Sequence, residues 1–270
     1  MLMSKRFPKT RRDSGGDLTR AHALLIQAGL IRQVSPGIWT LMPDGWRVLQ
    51  NIHGVIFEMM EAAGVQNVQL PILQPREIWE QTGRWKKYVE TKTMFTTQEY
   101  HYDAQYGLAP TAEEVVSFIA ATNIESWRDL PVVMHQIGPK FRDEIRPRLG
   151  LLRGREFYMS DAYSFDRDAE GMKASYEVMK ELYAKIFARL GLTRVRAVEA
   201  DSGDIGGKGS VEYMALSEEV GEDTLLACDE CGFGANKEVG AGDVGAVCHV
   251  CKIGVFKELR GIEIGHVFQL

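Results

Sequence analysis

Residues 139–165 read PKFRDEIRPRLGLLRGREFYMSDAYSF, and the fold of the chain turns on how this stretch is read. A strand runs into Phe141-Arg142-Asp143-Glu144. A loop then carries Arg146, Pro147, Arg148 and Gly150, and a return strand runs Arg155-Glu156-Phe157-Tyr158-Met159. A hairpin of this kind gathers guanidiniums at its mouth. Arginine offers planar, bidentate donors and keeps its charge, so the mouth makes a fork for phosphate oxygens. Glu144, two residues beyond Arg142, is expected on the same strand face, where its carboxylate can accept from an amine. Phe157 offers a flat ring for stacking. On this reading the hairpin holds a nucleotide, with its base on Phe157 and its phosphates on arginine. The plain alternative is a surface hairpin with solvated charges, and the spacing leaves both open.

Outward from this stretch, the 270-residue chain is 45% apolar and 26% charged, which suits one large globular domain or two small ones. The net charge of −5 argues against a protein that wraps nucleic acid non-specifically. Positive charge is still concentrated locally, in Arg142, Arg146, Arg148, Arg153 and Arg155. No apolar run reaches the roughly 18 residues that a transmembrane helix needs, so no membrane partner is expected. The N-terminal segment MLMSKRFPKTRRDSGG is basic but lacks an apolar core, unlike a secretory signal. As a mitochondrial transit peptide it is short, contains Asp13 and shows no amphipathic face. Four cysteines without a secretory signal point to a reducing compartment, so the expected location is the cytoplasm.

Helical periodicity predicts helices over 17–30, 46–63, 112–123 and 168–190, with a shorter one within 75–87 that carries Trp79 and Trp85. Gly64 stands where a helix stop belongs. A hairpin is expected around Ser35-Pro36-Gly37. Strands are expected at 65–73, 93–96, 99–109, 131–142, 155–163, 194–200 and 258–270. The close spacing of the strands after 130 favours antiparallel pairing. Between about 224 and 257 glycine and cysteine rise and apolar periodicity fails.

FRDE, the loop containing RPR, and REFYMSDAYSF together resemble motif 2 of class II aminoacyl-tRNA synthetases, in the form found in prolyl-tRNA synthetases of the bacterial type. That resemblance implies an α+β fold: an antiparallel sheet flanked by helices. It also implies roles. Arg142 would clamp the ATP α-phosphate and serve as the catalytic group, Glu144 would face the adenine amine, Arg153 would support the nucleotide, and Phe157 would stack on the base. Thr111 and Glu113–Glu114, read from spacing alone, could be no more than a helix cap with a first-turn carboxylate; in the family a Thr-x-Glu loop binds the proline amino group, and Thr111 and Glu113 fall on it. Residues 46–73 resemble motif 1, which builds the family's homodimer interface, though an ordinary core helix and strand would look the same. Gly83-Arg84-Trp85 resembles the family's GRW stretch. Residues 200–207 (ADSGDIGG) resemble ADTGSIGG, and residues 260–270 resemble RGIEVGHIFQL. On the latter strand the family implies Glu263 toward magnesium, His266 and Phe268 toward proline, and Gln269 toward ATP. Two positions depart from the pattern: Ala112 and Val211 stand where many members carry histidine.

Cys228-x2-Cys231 and Cys248-x2-Cys251 are separated by sixteen residues. Two such knuckles can wrap four thiolates around one Zn²⁺, and four thiolates leave no open position, so the site would be structural. A redox pair needs only one Cys-x-x-Cys, and two matched pairs fit that reading poorly. In the bacterial-type family a large editing domain occupies this gap. About 40 residues here leave room for a zinc-ribbon-like insertion only, so editing of mischarged tRNA is not expected.

The expected organisation is therefore a class II catalytic core over 1–223, a four-cysteine insertion over 224–257, and the start of the returning core strand over 258–270. The expected reaction joins proline to ATP as prolyl-adenylate and then to tRNA(Pro), with Mg²⁺. The family's motif 3 and anticodon-binding domain are missing from the sequence, so residues 1–270 alone are expected to be weak or inactive. Two other readings stand beside this one: a threonyl, seryl or glycyl enzyme of the same class, and a synthetase-like paralogue that binds or regulates without catalysis.

Overall fold

The computed structural model describes residues 5–15, 18–203, 206–207, 209–240 and 242–270. The chain divides into two compact units, Met1–Arg167 and Asp168–Leu270. Both mix helices with largely antiparallel sheet, in keeping with the expected α+β class.

The first unit opens with α1 (Arg20–Gln27) and a hairpin of β1 (Ile31–Ser35) and β2 (Ile38–Leu41). The helix expected over 17–30 begins on a residue outside those described. Gly37 turns the hairpin at φ +77°, a conformation that glycine adopts without strain. The long helix α2 (Pro43–Ala62) carries Pro43 in its first turn, where a missing N–H costs nothing. Then follow β3 (Gln66–Asn67), β4 (Leu73–Pro75), α3 (Arg76–Gln81), α4 (Arg84–Glu90), β5 (Thr96–Gln98), β6 (Gln105–Leu108), α5 (Glu113–Asn123), β7 (Val132–Phe141) and β8 (Glu156–Phe165).

Two expected strands are shorter than their alternation suggested. The stretch 65–73 pairs only at β3 and, separately, at β4. Between them Pro71 has no amide to offer, and the Leu70 amide donates to the Gln136 side chain at 3.2 Å instead of to a strand. The stretch 99–109 joins a strand ladder only from Gln105 onward, with one further bond from the Glu99 amide to the Ala104 carbonyl at 2.8 Å. Tyr100 and Tyr102 alternate like strand residues but have nothing to pack on and are fully or largely exposed. The β3–β7 pairing is parallel, whereas β7–β8 is antiparallel over ten residue pairs, from Val132↔Phe165 to Phe141↔Glu156.

Alternation along this ladder separates two faces. On one, His135 and Tyr158 meet α2: Phe57 lies edge-on to His135 at 5.5 Å, and His53 lies 5.4 Å from Tyr158. On the other, Met134 joins Leu70, Ala112, Val115, Val116 and Ala120 in a buried cluster, with Tyr163 and Phe165 against it. That second face also carries a buried polar group. Asp161 accepts from Lys140 Nζ at 2.8 Å, from Gln136 Nε2 at 2.8 Å and from the Tyr163 hydroxyl at 2.7 Å. A smaller cluster of Trp79, Trp85, Tyr88 and Met94 holds α3 and α4 together.

The second unit begins with α6 (Ala169–Arg189), whose first turn is capped by the Asp168 carboxylate accepting from the Gly171 amide at 2.9 Å. Its buried face is Tyr176, Met179, Leu182 and Ile186, four of the seven residues that periodicity put on one side. Five strands follow: β9 (Val195–Ala200), β10 (Gly209–Leu216), β11 (Asp223–Cys228), β12 (Gly234–Asn236) and β13 (Phe256–Gln269). They close into a barrel in the order β10-β13-β11-β12-β9, with Val198, Met214 and Leu225 at its core. The strands β11 and β12 lie where periodicity failed. Four consecutive residues of β11 are buried, so no alternation was there to be seen.

His135 is wholly buried between Asn67, 2.7 Å from Nδ1, and Ser160, 2.9 Å from Nε2. Burial lowers its pKa from 6.5 to about 4, and the charge of Asp161 offsets this only in part. Between those values the unfolded chain binds a proton that the folded ring refuses. Stability from this group is therefore complete above pH 6.5 and falls as pH drops toward 4. The expected loss across the window is roughly 3 kcal/mol, and His135→Asn should flatten it; denaturant melts of both proteins from pH 7 to pH 4 measure the difference.

Candidate active site

At the mouth of the β7–β8 hairpin, Arg142 follows directly on the last residue of β7. Its Nε donates to the Pro110 carbonyl at 3.3 Å, and its guanidinium lies 5.4 Å from the centre of the Phe157 ring. Arg142 and Phe157, the two residues to which the family resemblance gives the α-phosphate and the adenine ring, are thus neighbours. Glu144 does not owe its place to strand alternation: β7 ends at Phe141, and the segment beyond is loop. Its position comes instead from Arg153 Nε, 2.9 Å from Oε2, and from the Arg146 amide, 3.2 Å from Oε1. Partial burial pushes the Glu144 carboxyl up, but these donors outweigh it and hold the group below the usual carboxylate range. The loop closes through Leu149 and Gly150, both with positive φ, and through the Arg148 amide donating to the Arg153 carbonyl at 3.1 Å. Arg155 is engaged by backbone carbonyls: Nε donates to that of Glu144 and a terminal nitrogen to that of Pro36, each at 3.1 Å.

Thr111 and Glu113 meet at the start of α5, but not as a cap. The N-cap residue is Ala112, with no side-chain cap bond. The Thr111 hydroxyl reaches both oxygens of Glu113, at 2.7 and 2.5 Å. Behind Glu113 stands Arg84, which spacing gave no role. One of its terminal nitrogens lies 2.9 Å from Glu114 Oε1 and 3.4 Å from Glu113 Oε2, and the other donates to the Tyr88 hydroxyl at 2.6 Å. The guanidinium is flanked by the rings of Tyr88 and Trp79, at 4.9 and 5.5 Å. Burial raises the Glu114 carboxyl above the usual range, against the pull of Arg84. The GRW resemblance pointed to Arg84 without giving it a partner, and Glu114 read only as a first-turn carboxylate, while Lys140 and Asp161 were missed because each reads as an ordinary surface charge. For Lys140 and Asp161 the one available signal was charge at alternate, inward positions of β7 and β8.

In the second unit, β13 carries the other expected residues. The ladder places His266 opposite Glu212 and Phe268 opposite Ser210. The His266 and Phe268 rings stack with 3.8 Å between centres. His266 Nδ1 lies 3.6 Å from Glu212 and 3.5 Å from Glu263. In a regular strand, Glu263 and His266 would face opposite sides. Here the register slips between Tyr213 and Met214, leaving Ile264 unpaired, and this bulge turns both to one side. Gln269 alternates onto the other face, within hydrogen-bonding reach of Tyr176 on α6. Burial and the Glu263 charge raise the Glu212 carboxyl. In the glycine stretch 200–207, Asp204 and Ile205 lie outside the described residues, while Gly206 and Gly207 both have positive φ.

The four cysteines converge, with all sulfurs within 4.8 Å of one another. Cys228 and Cys251 are 3.6 Å apart and Cys231 and Cys248 3.8 Å. Four thiolates placed tetrahedrally at about 2.3 Å from Zn²⁺ have sulfurs about 3.8 Å apart, so the donor set fits that ion. Each knuckle is followed by a residue at positive φ, Gly232 and Lys252. Amides of Glu230 and Gly254 donate to Cys228 and Cys251 at 3.4 Å. The backbone amides of Gly254 and Ile253 lower the Cys251 thiol to about 6.

Because Arg153 is 43% exposed, its pair with Glu144 contributes little to stability. Glu144→Gln is expected to change the unfolding free energy by less than about 1 kcal/mol, read by urea denaturation, so a loss of ligand binding in that variant reports on the site itself.

Residues 95–247 match the tRNA synthetase class II core domain (G, H, P, S and T). The proline--tRNA ligase of Nitratidesulfovibrio vulgaris is 49% identical over 218 residues, covering 81% of this chain and 37% of that protein. That of Gloeothece citriformis is 47% identical over 232 residues, covering 86% of this chain and 38% of its own length. The chain thus spans about two fifths of the curated relatives it matches. A crystal structure of prolyl-tRNA synthetase from Cryptosporidium parvum, complexed with halofuginone and AMPPNP, aligns with a TM-score of 0.64 at 19% identity, over 73% of this chain and 40% of that one, which is a likeness of fold. With more than half of the sequence matched by the core domain, the β7–β8 hairpin within it, the chain belongs to the class II tRNA synthetase family.

Proposed function

We propose that this chain carries the proline-activating part of a proline--tRNA ligase. The observation that carries the reading is the bond from Arg142 Nε to the Pro110 carbonyl, which ties the proposed phosphate clamp to the segment that leads through Thr111 into Glu113 at the start of α5. An amino-acid ammonium and a nucleotide phosphate need anionic and cationic partners respectively, and here they stand side by side. The relatives named proline--tRNA ligase support the choice of amino acid.

In the proposed reaction the proline carboxylate attacks the ATP α-phosphorus and pyrophosphate leaves. The terminal ribose hydroxyl of tRNA(Pro) then attacks the adenylate carbonyl and AMP leaves. Arg142 neutralises charge on the α-phosphate, Phe157 takes the adenine ring, Glu144 accepts from its amine, and Arg153 supports the nucleotide. Glu113, oriented by Thr111, holds the proline ammonium. The work is positioning and charge neutralisation rather than proton transfer. The roles of His266 and Phe268 toward proline, Gln269 toward ATP and Glu263 toward Mg²⁺ rest on the family resemblance. Bound Mg²⁺ would offset phosphate charge.

The same reading assigns 1–223 and 258–270 to the catalytic core and 224–257 to a zinc-ribbon-like insertion held by Cys228, Cys231, Cys248 and Cys251. It makes the protein a cytoplasmic homodimer joined through the motif 1 segment, residues 46–73. Among the described residues, no helix is long and apolar enough to cross a membrane.

Calorimetric titration with non-hydrolysable aminoacyl-adenylate analogues tests the substrate. The prolyl analogue is expected to bind at least tenfold tighter than the threonyl, seryl and glycyl ones, and equal affinities would sink the assignment. Arg142→Ala should weaken it by roughly tenfold to a hundredfold, the worth of one charge-assisted contact. For the cysteines, metal analysis is expected to find about one zinc per chain, and Cys248→Ser to lower both zinc content and the melting temperature.

A further inference from the structure

We infer that Glu114 and Arg84 are positioning residues for ammonium recognition: Glu114 engages the Arg84 guanidinium so that Glu113 keeps a net negative charge toward the substrate. This rests on the proline reading above. Arg84 begins α4, directly after Gly83, whose φ of +72° brings the chain into the helix at this point. Its guanidinium is fixed on three sides by the Trp79 ring, the Tyr88 ring and the Tyr88 hydroxyl. It faces two carboxylates unequally. Glu114 is fully buried and lies at 2.9 Å, whereas Glu113 is 18% exposed and lies at 3.4 Å. Thr82 adds a hydroxyl 3.2 Å from the same Glu114 oxygen.

Two carboxylates and one guanidinium sum to one negative charge, which an incoming ammonium neutralises. Without Glu114, the positive charge of Arg84 would fall wholly on Glu113, and the ammonium would compete with a guanidinium for one carboxylate. At an effective dielectric of about 20, a unit charge a few ångströms away alters such a contact strongly enough to govern affinity. Buried ion pairs are poor stabilisers compared with apolar replacements, so retaining one here fits a role at the site. The class of ligand is an amino acid recognised through a charged amine.

Charge neutralisation across a double-mutant cycle separates this from a merely structural role. L-proline and ATP are titrated separately into the protein by calorimetry, with tetrahydrofuran-2-carboxylate as the analogue that lacks the ammonium. Glu114→Gln, nearly isosteric, is expected to weaken proline binding about tenfold and leave ATP binding unchanged. Arg84→Gln combined with Glu114→Gln restores the single negative charge and is expected to return proline affinity to within about threefold of the parent. Should Glu114→Gln fail to fold by circular dichroism, Arg84→Lys, which keeps the charge but loses the fork, must weaken proline and spare ATP. Parent-like proline affinity in Glu114→Gln or in Arg84→Lys, or a double variant weaker than the single, overturns the inference. If the parent protein does not prefer proline to the oxygen analogue, the proline reading itself fails and takes the inference with it.

Discussion

The ten-pair ladder between β7 and β8 organises the first unit because its two faces do different work. Side chains alternate, so one set of residues is committed to α2 and the other to α5 and the candidate site. His135 and Tyr158 anchor the helix side through ring contacts. Gln136, Lys140, Asp161 and Phe157 lie on the other. A slip of one residue would exchange the sets and bury the site under α2. Long, uninterrupted pairing makes that slip costly.

That face combines an apolar cluster with a buried polar network. Lys140 and Asp161 are buried, and the Asp161 carboxylate is satisfied by three donors. Removing one partner would strand a charge in a low-dielectric interior, which costs about 3–5 kcal/mol. Gln136 extends the network to the Leu70 amide. Hydrogen bonding thereby fixes the irregular stretch around Pro71 that sheet pairing leaves unsupported. The beginning of α5 is held by analogous means, with Arg84 clasped among aromatic rings and two carboxylates. Rigid surroundings of this sort are what a site that works by orientation needs.

The second unit reaches order by a different route. Five short and medium strands close into a barrel that leaves no free edge; the first cysteine knuckle branches from the end of β11 and the second lies between β12 and β13. The last residue of β11 is Cys228, so the four-sulfur cluster and the barrel share a strand. The bulge in β13 is the other local device: by inserting Ile264 it brings Glu263 and His266 together beside Glu212.

The sequence by itself determined the elements whose signals are local. Apolar recurrence marked α2, α5 and α6, the flanking charges and glycines marked the β7–β8 hairpin, and cysteine spacing marked the four-sulfur cluster. These follow from periodicity and turn chemistry within a few neighbouring residues. Tertiary structure alone decided that Glu144 is placed by Arg153 rather than by a strand, that Glu263 shares a side with His266, and that Thr111 orients a carboxylate instead of capping a helix. It also decided that Arg84 stands behind Glu113, 29 residues away in the chain. The Arg84–Glu113 contact depends on packing between distant segments and the Glu263–His266 pairing on a single-residue shift in register, while the contacts of Thr111 and Glu144 depend on the backbone path of a helix start and a loop, which the order of side chains does not specify.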